Sequence, residues 1–196
     1  TVSGVSESED MKATLDCAQS LGARFLCTGD TVRFLEATGE LRDSFPCRES
    51  GSTLRFFIPI ALAKMQKATF TGTPRLFSRG ISVYEALFAE KGISVMKTAS
   101  SVTLSGKLSA GDYRVRGDIS SQFITGLLYA LPLLEEDSTL SVLPPVESRS
   151  YIDLTLDTLR DFGIVIEERA TNEFFIRGNQ SFAFSKATVE GDWSNA

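Results

Sequence analysis

Three times in this chain, at Gly22, Gly92 and Gly163, an amphipathic stretch stops on a glycine and an apolar extended stretch begins: Gly22-Ala-Arg-Phe, Gly92-Ile-Ser-Val and Gly163-Ile-Val-Ile. The three glycines are 70 and 71 residues apart. A period of that length marks a repeated supersecondary unit that buries its apolar face against its neighbours. Between the glycines each full unit reads strand, apolar helix, strand, amphipathic helix, strand, strand. The predicted fold is therefore α/β (α+β), a single domain over 1–196 made of repeated βαβαββ units. The units span about 1–40, 41–107 and 108–180, with 181–196 as the start of a connection. The first is partial: it begins at its second strand and lacks the apolar helix.

The elements follow from local signals. Residues 1–5 read as a short strand, and 6–20 as an amphipathic helix capped by Ser6 or Ser8, with acidic residues in its first turn. Residues 23–27 and 31–35 read as a hairpin. Residues 37–45 read as a polar connection. Residues 47–55 then lead into an apolar helix that begins near Arg55 and runs from Phe56 to Leu62, with Pro59 expected to kink it. Residues 69–72 are a predicted strand, 73–80 a loop, 81–90 an amphipathic helix, and 93–96 with 101–104 a strand pair. The third unit runs from Tyr113 through an apolar helix over 123–134, a strand at 139–143, a helix over 151–162 and a closing hairpin at 164–167 and 173–176. Residues 189–196 read as a strand running into a helix start.

Composition excludes several chemistries. There is no histidine, so no histidine metal site and no histidine base. A net charge of −5 argues against a nucleic-acid groove or an anionic membrane as the main partner. No apolar run approaches a membrane span. Three cysteines, Cys17, Cys27 and Cys47, without C-x-x-C spacing, suit buried thiols in a reducing, cytoplasmic setting. Cys17 and Cys27 are expected to be poorly reactive among apolar neighbours. The chain opens on Thr1 and is expected to be part of something longer.

One stretch carries binding chemistry of its own. Gly117-Asp-Ile-Ser-Ser-Gln-Phe123 places Ser120, Ser121 and Gln122 at the start of an apolar, buried helix. A helix start offers free N–H groups and the positive end of the dipole. With two hydroxyls and an amide added, it is either an anion seat or an ordinary serine N-cap.

Four stretches together resemble the enolpyruvyl transferases: Glu49-Ser-Gly-Ser-Thr-Leu-Arg55, Gly72-Thr-Pro-Arg75, Gly117 to Phe123, and Ser148-Arg-Ser-Tyr-Ile-Asp-Leu-Thr155. Their order and spacing cover essentially the whole chain. The resemblance is closer to the branch acting on shikimate 3-phosphate than to the branch acting on UDP-N-acetylglucosamine. The latter carries a reactive cysteine in the loop matching 72–80, where this chain has none. A non-catalytic anion-binding domain of the same fold is the third reading.

The resemblance implies an inverse α/β barrel half and a role for each matching residue. Ser120 and Ser148 match positions that hold the 3-phosphate of shikimate 3-phosphate. Ser121 and Tyr151 match contacts on the ring side. Gln122 matches a residue reaching both ligands. Arg75 and Gly51 match the phosphoenolpyruvate pocket, while Ser50, Arg55 and Arg149 are supporting candidates. Arg79 and Arg149 either add positive potential or are solvated, and Tyr151 either binds or packs. The implied activity is carboxyvinyl transfer in the shikimate pathway, with no metal or organic cofactor. The implied partners are the two substrates and a missing second half of the same enzyme, which would carry the proton-transfer groups. The chain alone is therefore expected to be inactive. Two departures stand out. Glu49-Ser50 replaces an asparagine-alanine pair, with Glu49 expected to point away from the pocket, and Arg149-Ser150 replaces lysine-proline.

Overall fold

The computed structural model describes residues 1–37, 39–183 and 186–189. The expected strand-to-helix start at 189–196 lies outside them but for Val189.

The second unit consists of β4 (Ser44–Arg48), α2 (Gly51–Lys64), β5 (Lys67–Gly72), α3 (Pro74–Ser78), α4 (Ser82–Glu90), β6 (Ser94–Lys97) and β7 (Ser101–Ser105). The third consists of β8 (Gly111–Arg116), α5 (Ser121–Ala130), β9 (Ser138–Leu143), α6 (Arg149–Asp161), β10 (Ile166–Ala170) and β11 (Glu173–Ile176). Each forms a four-stranded sheet of the same order, β4-β5-β7-β6 and β8-β9-β11-β10. In both, two parallel strands flank a buried helix and an antiparallel hairpin closes the sheet.

The remaining elements are β1 (Val2–Ser3), α1 (Glu9–Ser20), β2 (Phe25–Thr28), β3 (Thr31–Phe34) and β12 (Ala187–Thr188). They include a third sheet of order β12-β1-β3-β2. In it β12 runs parallel to β1, pairing Val2 with Ala187 and Ser3 with Thr188. Residues 187–188, within the stretch read as a connection, thus hold the place in the first sheet that β4 and β8 hold in the others.

Three local expectations change. Residues 44–48 are a strand rather than the end of a connection. Phe45 and Cys47 face inward, and Pro46 is tolerated because β4 is an edge strand. Residues 74–78 are a short helix rather than loop: Pro74 suits a first helical turn, and the Thr73 hydroxyl accepts the Leu76 amide at 3.3 Å. Cys27 is exposed, because β2 is an edge strand, whereas Cys17 and Cys47 are buried with their Sγ atoms 3.9 Å apart. Hydrogen bonding to Cys17, then burial, pushes the Cys47 thiol far up.

α2 runs unbroken through Pro59. A proline has no N–H, so the carbonyl four residues back loses its helical donor. That carbonyl, of Arg55, receives the buried Tyr84 hydroxyl of α4 at 2.8 Å. The same hydroxyl lies 3.0 Å from the Phe123 carbonyl of α5. α2 and α5 pack against each other here, and Gly126 makes the approach possible: a Cβ there would run into Tyr84 Oη and the Arg55 carbonyl. The starts of the two buried helices are thereby held side by side.

Candidate anion-binding site

Both buried helices begin on a serine. Ser50 caps α2 by accepting the Thr53 amide at 3.3 Å, and Thr53 Oγ1 donates to it at 2.8 Å. Ser120, in extended backbone, caps α5 by accepting the Gln122 amide at 3.3 Å. α6 begins differently. Ser148 adopts a left-handed backbone, φ 60° and ψ 35°, and its hydroxyl caps nothing. A non-glycine residue held there is sparsely populated and costs of order 1 kcal/mol. Its Oγ is left for another partner.

The starts of α5 and α6 face each other across a cleft of about 530 Å³ lined by Ser120, Ser121, Gln122, Ser148 and Tyr151. A Thr125–Thr155 hydroxyl pair at 3.0 Å ties the two helices one turn further in. Thr125, Thr155, Thr158, Phe56 and Tyr129 complete much of the wall. These were not among the residues expected to matter, although helical spacing marks them: Ser121, Thr125 and Tyr129 recur every four residues, as do Tyr151 and Thr155. Among the described residues no charged side chain lines the cleft. Its attraction for an anion comes from hydroxyls, an amide and two helix starts.

Gln122 links this cleft to the start of α2, accepting through Oε1 from Arg55 Nη1 at 2.5 Å. Arg55 is only 8 % exposed, lies 4.9 Å over the Phe123 ring, and leaves its Nε without a partner. Burial, then repulsion from Arg79, disfavours its charged form. Gly51 opens α2 beneath the Arg79 guanidinium.

Two candidates lie elsewhere. Arg75, on α3, is 85 % exposed and 3.6 Å from the carboxylate of Glu49, which is itself exposed and does not line the cleft. Arg149 turns outward: it pairs with Glu168 at 2.8 Å and Asp153 at 2.8 Å, donates to Asn172, and does not line the cleft. The bond to Glu168 holds the Arg149 pKa well above its ordinary value.

Among the described residues no helix is long and apolar enough to cross a membrane, and no cluster of acidic and cysteine side chains is placed to hold a metal ion.

The family model described as EPSP synthase (3-phosphoshikimate 1-carboxyvinyltransferase) matches residues 1–196. The 3-phosphoshikimate 1-carboxyvinyltransferase of Clostridium kluyveri is 42 % identical over 199 residues, covering 98 % of this chain and 46 % of the relative. That of Clostridium perfringens strain SM101 is 41 % identical over 201 residues, covering 100 % of this chain and 47 % of the relative. A solved EPSP synthase from Acinetobacter baumannii superposes with a TM-score of 0.77 at 20 % identity, over 96 % of this chain and 44 % of that one, and shares its fold. The chain thus spans about half the length of the relatives it matches. With its sheets ordered as they are and the match running from first residue to last, the chain belongs to the EPSP synthase family.

Proposed function

We propose that this chain binds shikimate 3-phosphate in the α5/α6 cleft and phosphoenolpyruvate beside it at the start of α2, for transfer of the enolpyruvyl group. In that reaction the 5-hydroxyl adds to the enol carbon and a proton adds to the methylene carbon. Phosphate then leaves and the enol ether re-forms. The observation that carries the proposal is convergence: five motif residues, from segments some 25 residues apart, line one cleft. Ser120 and Ser148 are assigned to the 3-phosphate, Ser121 and Tyr151 to the ring side, and Gln122 to both ligands. Gly51 and Arg75 are assigned to phosphoenolpyruvate. Ser50 supports the site as the cap of α2, Arg55 by holding Gln122, and Arg149 by anchoring the start of α6 to β10.

The contribution of this surface is positioning and charge stabilisation. No carboxylate or lysine lines the cleft, so the groups that move protons are assigned to a second half of the same enzyme, as are the contacts that exclude water. The reaction drawn here needs no metal or organic cofactor, and the cytoplasm suits three free thiols.

The test is to titrate shikimate 3-phosphate into the chain by NMR and, separately, to assay phosphate release from phosphoenolpyruvate. Shifts at Ser120, Ser121 and Ser148 without turnover are expected. Unshifted resonances at these three positions in a folded sample would sink the ligand assignment, and turnover would sink the division of labour.

A further inference from the structure

We propose that Arg79 is the resident cation of the α2 anion seat and sets how tightly that seat holds phosphoenolpyruvate; this rests on the function just proposed.

The guanidinium occupies space that only a glycine at 51 leaves open. A Cβ on Gly51 would meet Arg79 Nη1 at 2.8 Å, Cζ at 3.0 Å and Nη2 at 3.1 Å. The cation therefore lies against the first residue of a 14-residue helix, at the positive end of its dipole, where a cation is disfavoured. A second guanidinium, Arg55, lies one turn further along the helix. It is more than nine-tenths buried, its Nε has no partner, and Arg79 disfavours its charged form.

Several other arginines of the chain are neutralised, although among the described residues Arg24, Arg33, Arg42 and Arg114 are not. Arg48 has Asp16 at 2.8 Å, Arg116 has Asp118 at 2.5 Å and Arg149 has Glu168 at 2.8 Å. Arg79 has no ion pair among the described residues: Glu85, the nearest carboxylate in sequence, pairs with Lys97, and Glu49, two residues before Gly51, pairs with Arg75.

Two like charges and a helix start thus converge on one point without a protein anion. The arrangement is unfavourable when empty and becomes favourable when a phosphate or carboxylate arrives. A planar guanidinium fork suits such a group better than an ammonium does. α3 sets the geometry: Arg79 is its C-cap, its amide donates to the Leu76 carbonyl at 3.3 Å, and Gly80 follows in left-handed backbone. Arg75, four residues earlier, is 85 % exposed and pairs with Glu49.

The experiment measures the melting temperature of the chain with and without phosphoenolpyruvate or inorganic phosphate, and the affinity for each. Removing a cation from a repulsive site should stabilise the empty chain. Arg79→Gln is expected to raise the unliganded Tm by about 2–4 °C and to weaken phosphoenolpyruvate at least ~10-fold, leaving shikimate 3-phosphate unchanged. Arg79→Lys should recover only part of the loss. Gly51→Ala, which displaces the guanidinium, should give the same loss and add little to Arg79→Gln.

Weakening of both ligands with a lower Tm would make Arg79 a structural prop and overturn the inference. Equal phosphoenolpyruvate affinity in wild type and Arg79→Gln would make it a solvated surface arginine. It would overturn the inference and leave the proposed function standing. A wild-type chain that takes up neither anion would overturn both.

Discussion

At the start of α2 the groups proposed to face an anion are guanidiniums; at the start of α5, in the same place in the next unit, they are hydroxyls and an amide. The scaffold beneath them is shared: a serine cap, a buried helix, and a parallel strand on each side. The difference lies in what was placed on it. In the proposal the α2 seat works through net charge, with Arg55 buried and bonded to Gln122 and Arg79 exposed, neither of them in an ion pair among the described residues. The α5/α6 cleft works through dipoles and directed hydrogen bonds without a charged side chain in its wall. Two anions held side by side repel each other. Concentrating positive charge under one and shaping donors around the other gives each ligand a distinct address. Gln122 joins the two, with its amide nitrogen at the cleft and its oxygen on Arg55.

The most damaging way to break this comparison is to separate the two helices. Gly126→Ala places a methyl group against Tyr84 Oη and the Arg55 carbonyl, and it should cost about 3 kcal/mol of stability and weaken both ligands together. Tyr84→Phe leaves the Arg55 carbonyl without its donor and should cost about 1–3 kcal/mol, read by urea denaturation. If either variant weakened one ligand only, the two seats would not share a support.

A second pair of variants separates capping from binding. Ser120→Ala should lose about 1 kcal/mol of stability with its cap, and affinity for shikimate 3-phosphate as well. Ser148→Ala should lose roughly 5–10-fold in that affinity with stability nearly unchanged, because its hydroxyl caps nothing. Equal stability losses would show Ser148 to be an undetected cap.

Salt sharpens the contrast further. Raising ionic strength from about 0.05 to 0.5 M should weaken phosphoenolpyruvate several-fold more than it weakens shikimate 3-phosphate, measured by calorimetry, since net charge is screened while directed donors are not. Equal slopes would erase the distinction between the seats.

The smallest effect concerns the support of α6. The hydrogen bond from Arg149 holds the Glu168 carboxyl below its ordinary value. A depressed carboxylate stabilises above the unfolded pKa, about 4.3, and that contribution disappears as pH falls through the depressed folded value. Both partners are about one-third exposed, so the contribution is under about 1 kcal/mol. Glu168→Gln should lower stability at pH 7 by that amount and should flatten the acid limb below pH 4.5. An unchanged acid limb would remove Glu168 from the account.

Much of this was legible in sequence. The three glycine stops located the repeated strands and outer helices because a glycine that ends a helix has a backbone reason to be there: all three adopt positive φ. The Ser120-Ser121-Gln122 run located a helix start because small polar side chains are what free N–H groups demand. What was not legible depended on partners distant in sequence. Pro59 reads as a kink until Tyr84 is known to satisfy the carbonyl it frees. Residues 44 and 45 read as the end of a connection and 47–48 as the approach to a helix; Pro46 between them is tolerated in a strand only at an edge position. Arg79 reads either as added positive potential or as a solvated arginine, because a bare Cα at Gly51 says that something approaches closely without saying what. That Glu49 pairs with Arg75 was not legible either, because the two are distant in sequence and meet only in the fold.

The pairing of β12 with β1 also orders events in time. The second and third sheets are each complete within one unit, so each can close as soon as its own stretch of chain is available. The first joins Val2 to Ala187, a loop of nearly the whole chain, and closing so long a loop is entropically slow. During synthesis, β1 must wait with an unpaired edge until almost every other element has emerged. Among the described sheets this one is completed last, and its waiting edge is a place where a folding intermediate is open to pairing with the wrong strand.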